Sequence, residues 1–301
     1  MVMINLKSGH KFYMERILKE NLDILLDACK DNDDIFIIFC GQEGAGKSVF
    51  MQQVGAYCAD YLDTEYNLDN IVFSLNEYLR KSLKSPFYTV INLDEARKIL
   101  NRSAGATKMS RTFTDYASEC RSKRQVHIIG LPAYHDLNSY IVNWRMKILI
   151  QVIKEFKKDD TKKSGYGLSR GTFKLFTNQK EINKCYEFKY NYPRQYECYG
   201  RFNDYKIIPD KEYDAKKGLN LEDKYDPDKQ EEKITKTESK SRAVFEKTIF
   251  NIKNDKRIVF LNNAGEYKKI GFPLLSEYSG ISAGTLSKMV LRFEENRQSK
   301  T

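Results

Sequence analysis

The stretch Gly41-Gln42-Glu43-Gly44-Ala45-Gly46-Lys47-Ser48, followed by Val49, has the G-x-x-x-x-G-K-S spacing of a loop that holds phosphate. Its glycines let backbone N–H groups curl around phosphate oxygens. Lys47 can reach the β/γ-phosphates, and Ser48 can offer its hydroxyl to Mg²⁺. A helix starting near Lys47 would point its positive end at the same anion. Positions 41–49 are therefore the expected contacts for ATP and Mg²⁺, with Lys47 also acting on the reacting phosphate.

A second constellation, Asp94-Glu95, closes the apolar run Phe87-Tyr-Thr-Val-Ile-Asn-Leu93. Taken alone, an acidic pair at such a point suits the start of a helix. Downstream of a phosphate loop it reads as a Walker B pair. Asp94 then holds Mg²⁺ opposite Ser48, and Glu95 takes a proton from, or orients, the attacking water. Hydrolysis rather than storage of the nucleotide is expected.

These groups need elements to carry them. The run Ile35-Phe-Ile-Ile-Phe-Cys40 leads straight into the phosphate loop as a buried strand, and apolar residues at helical spacing over 12–30 predict a helix before it. A helix follows the loop through Val49, Phe50, Val54 and Tyr57. Short strands at 71–74 and 87–93 flank a helix over 76–83, and Pro86 marks the entry to the second strand. A helix at 113–124, a strand at 126–130, a helical 138–144 and a strand at 147–153 complete the alternation of a parallel α/β sheet. Residues 154–189 alternate polar and apolar types around Lys163-Ser-Gly-Tyr-Gly and read as an edge hairpin.

The chain has 301 residues and a net charge of +10, enough for an α/β core plus a small second domain and biased toward an anionic partner. Six scattered cysteines without a C-x-x-C pair suit a reduced compartment. No apolar run approaches the ~20 residues that span a bilayer, and the N-terminus lacks signal-peptide features. A cytoplasmic protein without a membrane anchor is expected. His10, His127 and His135 lack metal-ligand spacing, and His127 reads as a hydrogen-bonded core residue.

Residues 210–242 are mostly Lys, Glu and Asp and read as a charged linker. The expected organisation is an ATPase domain at 1–209, the linker, and a small domain at 243–301. In that last domain, Leu274, Leu275 and Tyr278 would pack one helix and Gly280 would permit a turn. Ser282 would cap a second helix carrying Leu286, Met289, Val290 and Phe293 on its buried side, the pattern of a helix-turn-helix. Thr285, Ser287, Lys288 and Arg292 on the opposite face suit phosphates and base edges of double-stranded DNA. A winged-helix-like domain used for protein contact is the other reading.

The order of Walker A, Walker B, a helix ending in Arg121-Ser-Lys-Arg124, a strand, and Leu137-x-x-x-Ile141 resembles the FtsK/HerA-like ATPases, and within them the Zot-like (zonular occludens toxin N-terminal) branch. The resemblance covers roughly residues 30–155 and implies a P-loop NTPase parallel sheet, RecA-like and of the additional-strand class. It also implies assembly of identical subunits into a ring, a hexamer being the form expected of a motor, with an arginine finger from the neighbour; Arg102, Arg111, Arg121, Arg124 and Arg145 are the candidates. Where that group places a Thr-Gln sensor, this chain has Leu131 and Pro132, with Tyr134 and His135 nearby as substitutes. The basic series Lys154, Lys157, Lys158, Lys162, Lys163, Arg170 and Lys174, interleaved with Tyr166 and Phe173, lines either a DNA-facing surface or a solvated hairpin.

Two functions fit: a DNA-translocating or packaging ATPase of a virus, plasmid or mobile element, and an ATP-switched DNA-binding regulator or replication/partition factor. A small-molecule kinase leaves Asp94-Glu95 and the C-terminal domain without a task.

Overall fold

Six consecutive apolar residues make β3 (Ile35–Cys40), and every one of them is buried. Alternate side chains point to opposite faces. Ile35, Ile37 and Phe39 enter one core, and Phe36, Ile38 and Cys40 enter another on the far side of the sheet. An unbroken apolar strand is what a parallel sheet covered on both faces requires.

The computed structural model describes residues 1–94, 96, 108–158, 161–164, 166–188, 192–225, 259–261, 267–269, 276 and 286. The chain divides into two compact units, Met1–Asn220 and Leu221–Thr301. The first opens with a hairpin of β1 (Val2–Asn5) and β2 (Lys11–Met14), which the sequence reading did not anticipate. Helix α1 (Arg16–Lys30) then buries Leu18, Leu22, Leu26 and Cys29 on one stripe. After β3 come α2 (Lys47–Tyr61), β4 (Ile71–Val72), α3 (Leu75–Lys84), β5 (Val90–Leu93), α4 (Lys108–Glu119) and β6 (Val126–Leu131). A π-turn, Ile141–Arg145, leads into β7 (Met146–Lys158), followed by β8 (Tyr166–Phe176), α5 (Gln179–Glu187), β9 (Cys198–Arg201) and α6 (Asp210–Tyr225).

The seven-stranded sheet has the order β4-β5-β6-β3-β7-β8-β9. The first five strands are parallel, and β8 and β9 are antiparallel additions. Strand β6 lies between the phosphate-loop strand β3 and the Asp94 strand β5, which is the defining insertion of the additional-strand class. The expected α/β fold is thus present, with a mixed rather than purely parallel sheet.

Three local expectations change. The hairpin β7–β8 is not at the edge, because β9 pairs with Thr172–Leu175 of β8 and takes that position. Residues 179–187, read as part of an alternating strand, form α5, with Asn178 accepting from the Glu181 N–H as a cap. The first part of the expected linker is helical and packed: Tyr213 of α6 is 8% exposed, and the first unit runs past the expected boundary at 209 to Asn220. Local charge density masked this, because one buried tyrosine anchors an otherwise polar helix.

In the second unit, β10 (Val259–Leu261) and β11 (Tyr267–Lys269) form an antiparallel pair. Ser276 and Leu286 are helical, and Leu286 is buried. Thr285, Ser287, Lys288 and Arg292 lie outside the described residues, as do Glu95 and Arg102.

Candidate nucleotide site

The carboxyl ends of β3, β6 and β5 share one edge of the sheet, the edge at which open α/β sheets bind ligands. Registers Cys40↔Leu131 and Leu93↔Ile129 set the tips of β3 and β5 at that edge with β6 between them. The chain leaves β3 through Gly41, whose φ of +144° and tight packing favour glycine; a Cβ there would collide with the Val152 carbonyl of β7. The Gly41 N–H donates to the Pro132 carbonyl at 3.0 Å, so the end of β6 braces the loop. Gly46, at φ +97°, is the N-cap of α2 without any side-chain cap, which leaves the first N–H groups of that helix directed into the loop.

Lys47 Nζ donates to the loop's own carbonyls, Gly41 O at 2.7 Å and Gln42 O at 2.9 Å. Ser48 Oγ donates to Asp94 Oδ2 at 2.6 Å. Asp94 is 4% exposed and its own N–H donates to the Val72 carbonyl at 3.0 Å, fixing the tip of β5 against β4. A hydroxyl beside a carboxylate is a hard-oxygen donor set suited to Mg²⁺. The next residue, Glu95, lies outside the described residues; Ala96 beyond it donates its N–H to Gly130 O at 2.9 Å.

Cations from β7 and β8 crowd the loop. Lys154 Nζ donates to Glu43 O at 3.2 Å, and a Cβ on Gly44 would stand 3.7 Å from Lys154 Nζ and 3.9 Å from an Arg170 guanidinium nitrogen. The sequence grouped both with a basic series but had no means of bringing them to the phosphate loop, since only the antiparallel return of β8 does so. Phe173 of that series is fully buried and packs on Phe50 at 4.7 Å, so it serves the core rather than a surface. Strand alternation determines this: Phe173 points inward while Lys174 is half-buried over the Tyr196 ring.

The arginine candidates separate. Arg121 Nε donates to Asn32 O at 3.0 Å, Arg124 Nε donates to Asn32 Oδ1 at 3.1 Å, and Arg145 pairs with Asp34. All three thus gather at the residues preceding β3, the opposite end of that strand from the phosphate loop. Arg111 on α4 is exposed. In place of the Thr-Gln sensor, Leu131 is buried and Pro132 supplies the carbonyl that braces Gly41; Tyr134 is buried, its ring tilted against that of His135 at 4.1 Å.

Burial governs the titrating groups nearby. It pushes the Cys40 thiol, at the foot of the loop, up to about 12, so this sulfur stays protonated and inert. All six cysteines are buried thiols. His127, in the middle of β6, is pushed down to about 3 by burial and accompanied by a Tyr78 hydroxyl 2.7 Å from its Nδ1, as a core histidine. Among the described residues, no helix is long and apolar enough to cross a membrane.

No family profile matches the chain, and no curated protein does. Among solved structures it is similar to the N-terminal domain of zonular occludens toxin from Neisseria meningitidis, at 12% identity over 60% of this chain and 98% of that one, with a TM-score of 0.37. It is also similar to the genome packaging NTPase B204 from Sulfolobus turreted icosahedral virus 2, at 14% identity over 48% of this chain and 93% of that one, TM-score 0.30. The pilus retraction motor PilT with bound ADP is a third, at 13% identity over 63% and 66%, TM-score 0.32. The P-loop NTPase fold rests on the strand order and the loop geometry above.

Proposed function

We propose that this chain is a Mg²⁺-dependent ATPase that handles double-stranded DNA, as a translocating or packaging motor of a virus, plasmid or mobile element. One observation carries the hydrolytic half: the hydroxyl of the phosphate loop and the carboxylate at the tip of β5 meet at 2.6 Å. Ser48 and Asp94 would hold Mg²⁺, which when bound supplies charge neutralisation on the phosphate oxygens. Lys47 rests on two carbonyls and can exchange them for the stronger acceptor of a phosphate. The first N–H groups of α2 face the same anion. Glu95, directly after Asp94, is the proposed base that orients water.

The DNA half is supported by the arm that β7 and β8 form. Beyond Gln151, β7 pairs only with β8 among the described residues, so Glu155–Lys158 and their partners form a two-stranded projection past the phosphate-loop edge. Lys157, Lys158, Lys162 and Lys163 are exposed there, with Phe156 73% and Tyr166 54% exposed beside them. Cations interleaved with aromatic faces suit a nucleic-acid backbone and its bases. The proposed recognition face of the second unit, Thr285, Ser287, Lys288 and Arg292, would add docking on duplex DNA.

The test mixes the purified protein with ATP and nonspecific duplex DNA. Hydrolysis stimulated by DNA and abolished by Glu95→Gln supports the motor, as does a hexameric mass with a nonhydrolysable ATP analogue. Slow DNA-independent turnover with tight binding to one short sequence would replace it with an ATP-switched regulator.

A further inference from the structure

One oxygen of Asp94 receives two hydroxyls. Besides Ser48, the Tyr213 hydroxyl donates to Asp94 Oδ2 at 2.5 Å, and both side chains are buried. The other carboxylate oxygen, Oδ1, lies beside Gly130 of β6, where an added Cβ would stand 3.0 Å from it. Tyr213 comes from outside the α/β core. After β9 the chain lies along α2: Phe202 stacks on Phe50 at 4.3 Å, Gln53 Nε2 donates to Asn203 O at 2.8 Å and Tyr205 O at 2.7 Å, and the Ile208 N–H donates to Gln52 Oε1 at 3.2 Å. Helix α6 follows. Its Lys216 donates to the carbonyls of Leu68 at 3.2 Å and Ile71 at 2.6 Å and pairs with Glu77 at 3.2 Å. The tyrosine is therefore anchored on both sides before it reaches Asp94.

We infer that Tyr213 is a positioning residue of the nucleotide site, its hydroxyl fixing the plane of the Asp94 carboxylate that faces Mg²⁺ beside Ser48. The inference rests on the reading of Ser48 and Asp94 as holders of that ion. A buried carboxylate needs donors to stabilise its charge, and hydrogen bonds to the ionised form are the strong ones. Two hydroxyls donating to Oδ2 favour one orientation of the group. Loss of the Tyr213 hydroxyl removes one of the donors that hold the carboxylate against turning about its terminal torsion, which is broad for Asp. Groups that orient a metal-holding carboxylate without touching the ion typically change its affinity about 10–100-fold when removed.

Tyr213→Phe tests this, because it keeps the ring packed against Phe73 at 5.5 Å and deletes only the hydroxyl. Affinity for a fluorescent ATP analogue is measured across a Mg²⁺ titration and again in EDTA, alongside a thermal melt that verifies folding. The Mg²⁺ concentration for half-maximal tightening should rise about tenfold, with affinity in EDTA within twofold of the parent. A Mg²⁺ requirement that is unchanged or lowered in a folded variant overturns the role of Tyr213. A parent protein that binds nucleotide with no dependence on Mg²⁺ overturns instead the reading of Ser48 and Asp94. Because the readout is binding, it stands whether or not hydrolysis is detected.

Discussion

The Ser48 hydroxyl and the Asp94 carboxylate, 46 positions apart in the chain, meet at 2.6 Å across the carboxyl edge of the sheet. Neither residue is near the other until β6 is inserted between their strands and α2 is seated on the sheet. Asn92 contributes to that seating, its side-chain amide donating to the Met51 carbonyl of α2 at 3.1 Å. The pair is thus a product of the whole α/β core, and its consequences can be tested from several directions.

Lys47→Ala removes the one ammonium of the loop that can exchange backbone carbonyls for phosphate. A charged hydrogen bond of this kind is worth about 1.5–3 kcal/mol, so nucleotide affinity should fall roughly 10- to 100-fold. Equilibrium titration with a fluorescent ATP analogue reads this directly, and full retained affinity would refute the assigned phosphate site.

Gly41→Ala should act on folding before it acts on binding. The added Cβ would enter the Val152 carbonyl, at a φ of +144° that other residues rarely adopt. Overpacking alone costs about 1–3 kcal/mol, so Tm should drop by roughly 2–12 °C in a domain of this size, at about 2–4 °C per kcal/mol. Differential scanning calorimetry without nucleotide checks it; an unchanged melt would mean that β7 yields to the loop.

Acid should weaken the fold through His127. Its pKa lies at about 3 in the folded chain against 6.5 for the unperturbed ring. The unfolded chain therefore binds the extra proton between those values, and stability is lost as pH falls through that window. At pH 5 the loss is about 2 kcal/mol, from about 1.4 kcal/mol per unit over the ~1.5 units below 6.5. Urea unfolding at pH 7 and pH 5 should show this difference, and His127→Gln, which cannot titrate, should flatten it. An equally steep pH dependence in that variant would assign the effect elsewhere.

The arm predicts a salt signature. Replacing Lys157, Lys158, Lys162 and Lys163 by Gln should reduce the slope of log affinity for duplex DNA against log salt by up to about 3.6, at ~0.9 per phosphate contact. ATP affinity should be untouched, since the lysine that contacts the loop, Lys154, is retained. A salt slope equal to that of the parent protein would remove the arm from the DNA surface and leave that role to the second unit.

The phosphate loop was legible because its chemistry is local: consecutive N–H groups, one lysine and one hydroxyl must lie within a single turn, so their spacing is written in consecutive residues. The core strands were legible for a similar reason, since burial on both faces demands unbroken apolar runs such as Ile35–Cys40. The alternation of strand and helix also carried the class of fold, including the extra strand beside the Asp94 strand. The hairpin β1–β2, helix α5 and the packed start of α6 were not legible, because each is defined by what it packs against rather than by its own periodicity.

A phosphate loop after a buried strand, and an acidic pair at the end of another, are written in the order of residues, since both depend on neighbours in the chain. It takes the folded chain to bring Ser48 to Asp94, to set Lys154 and Arg170 over Gly44, and to carry Tyr213 to the same carboxylate from a helix that reads as charged linker. The difference is one of range. Backbone conformation and amphipathic period are set over a few residues, whereas a hydrogen bond of 2.5 Å between residues 119 apart exists only once strand order, register and the path of the chain over α2 have all been fixed.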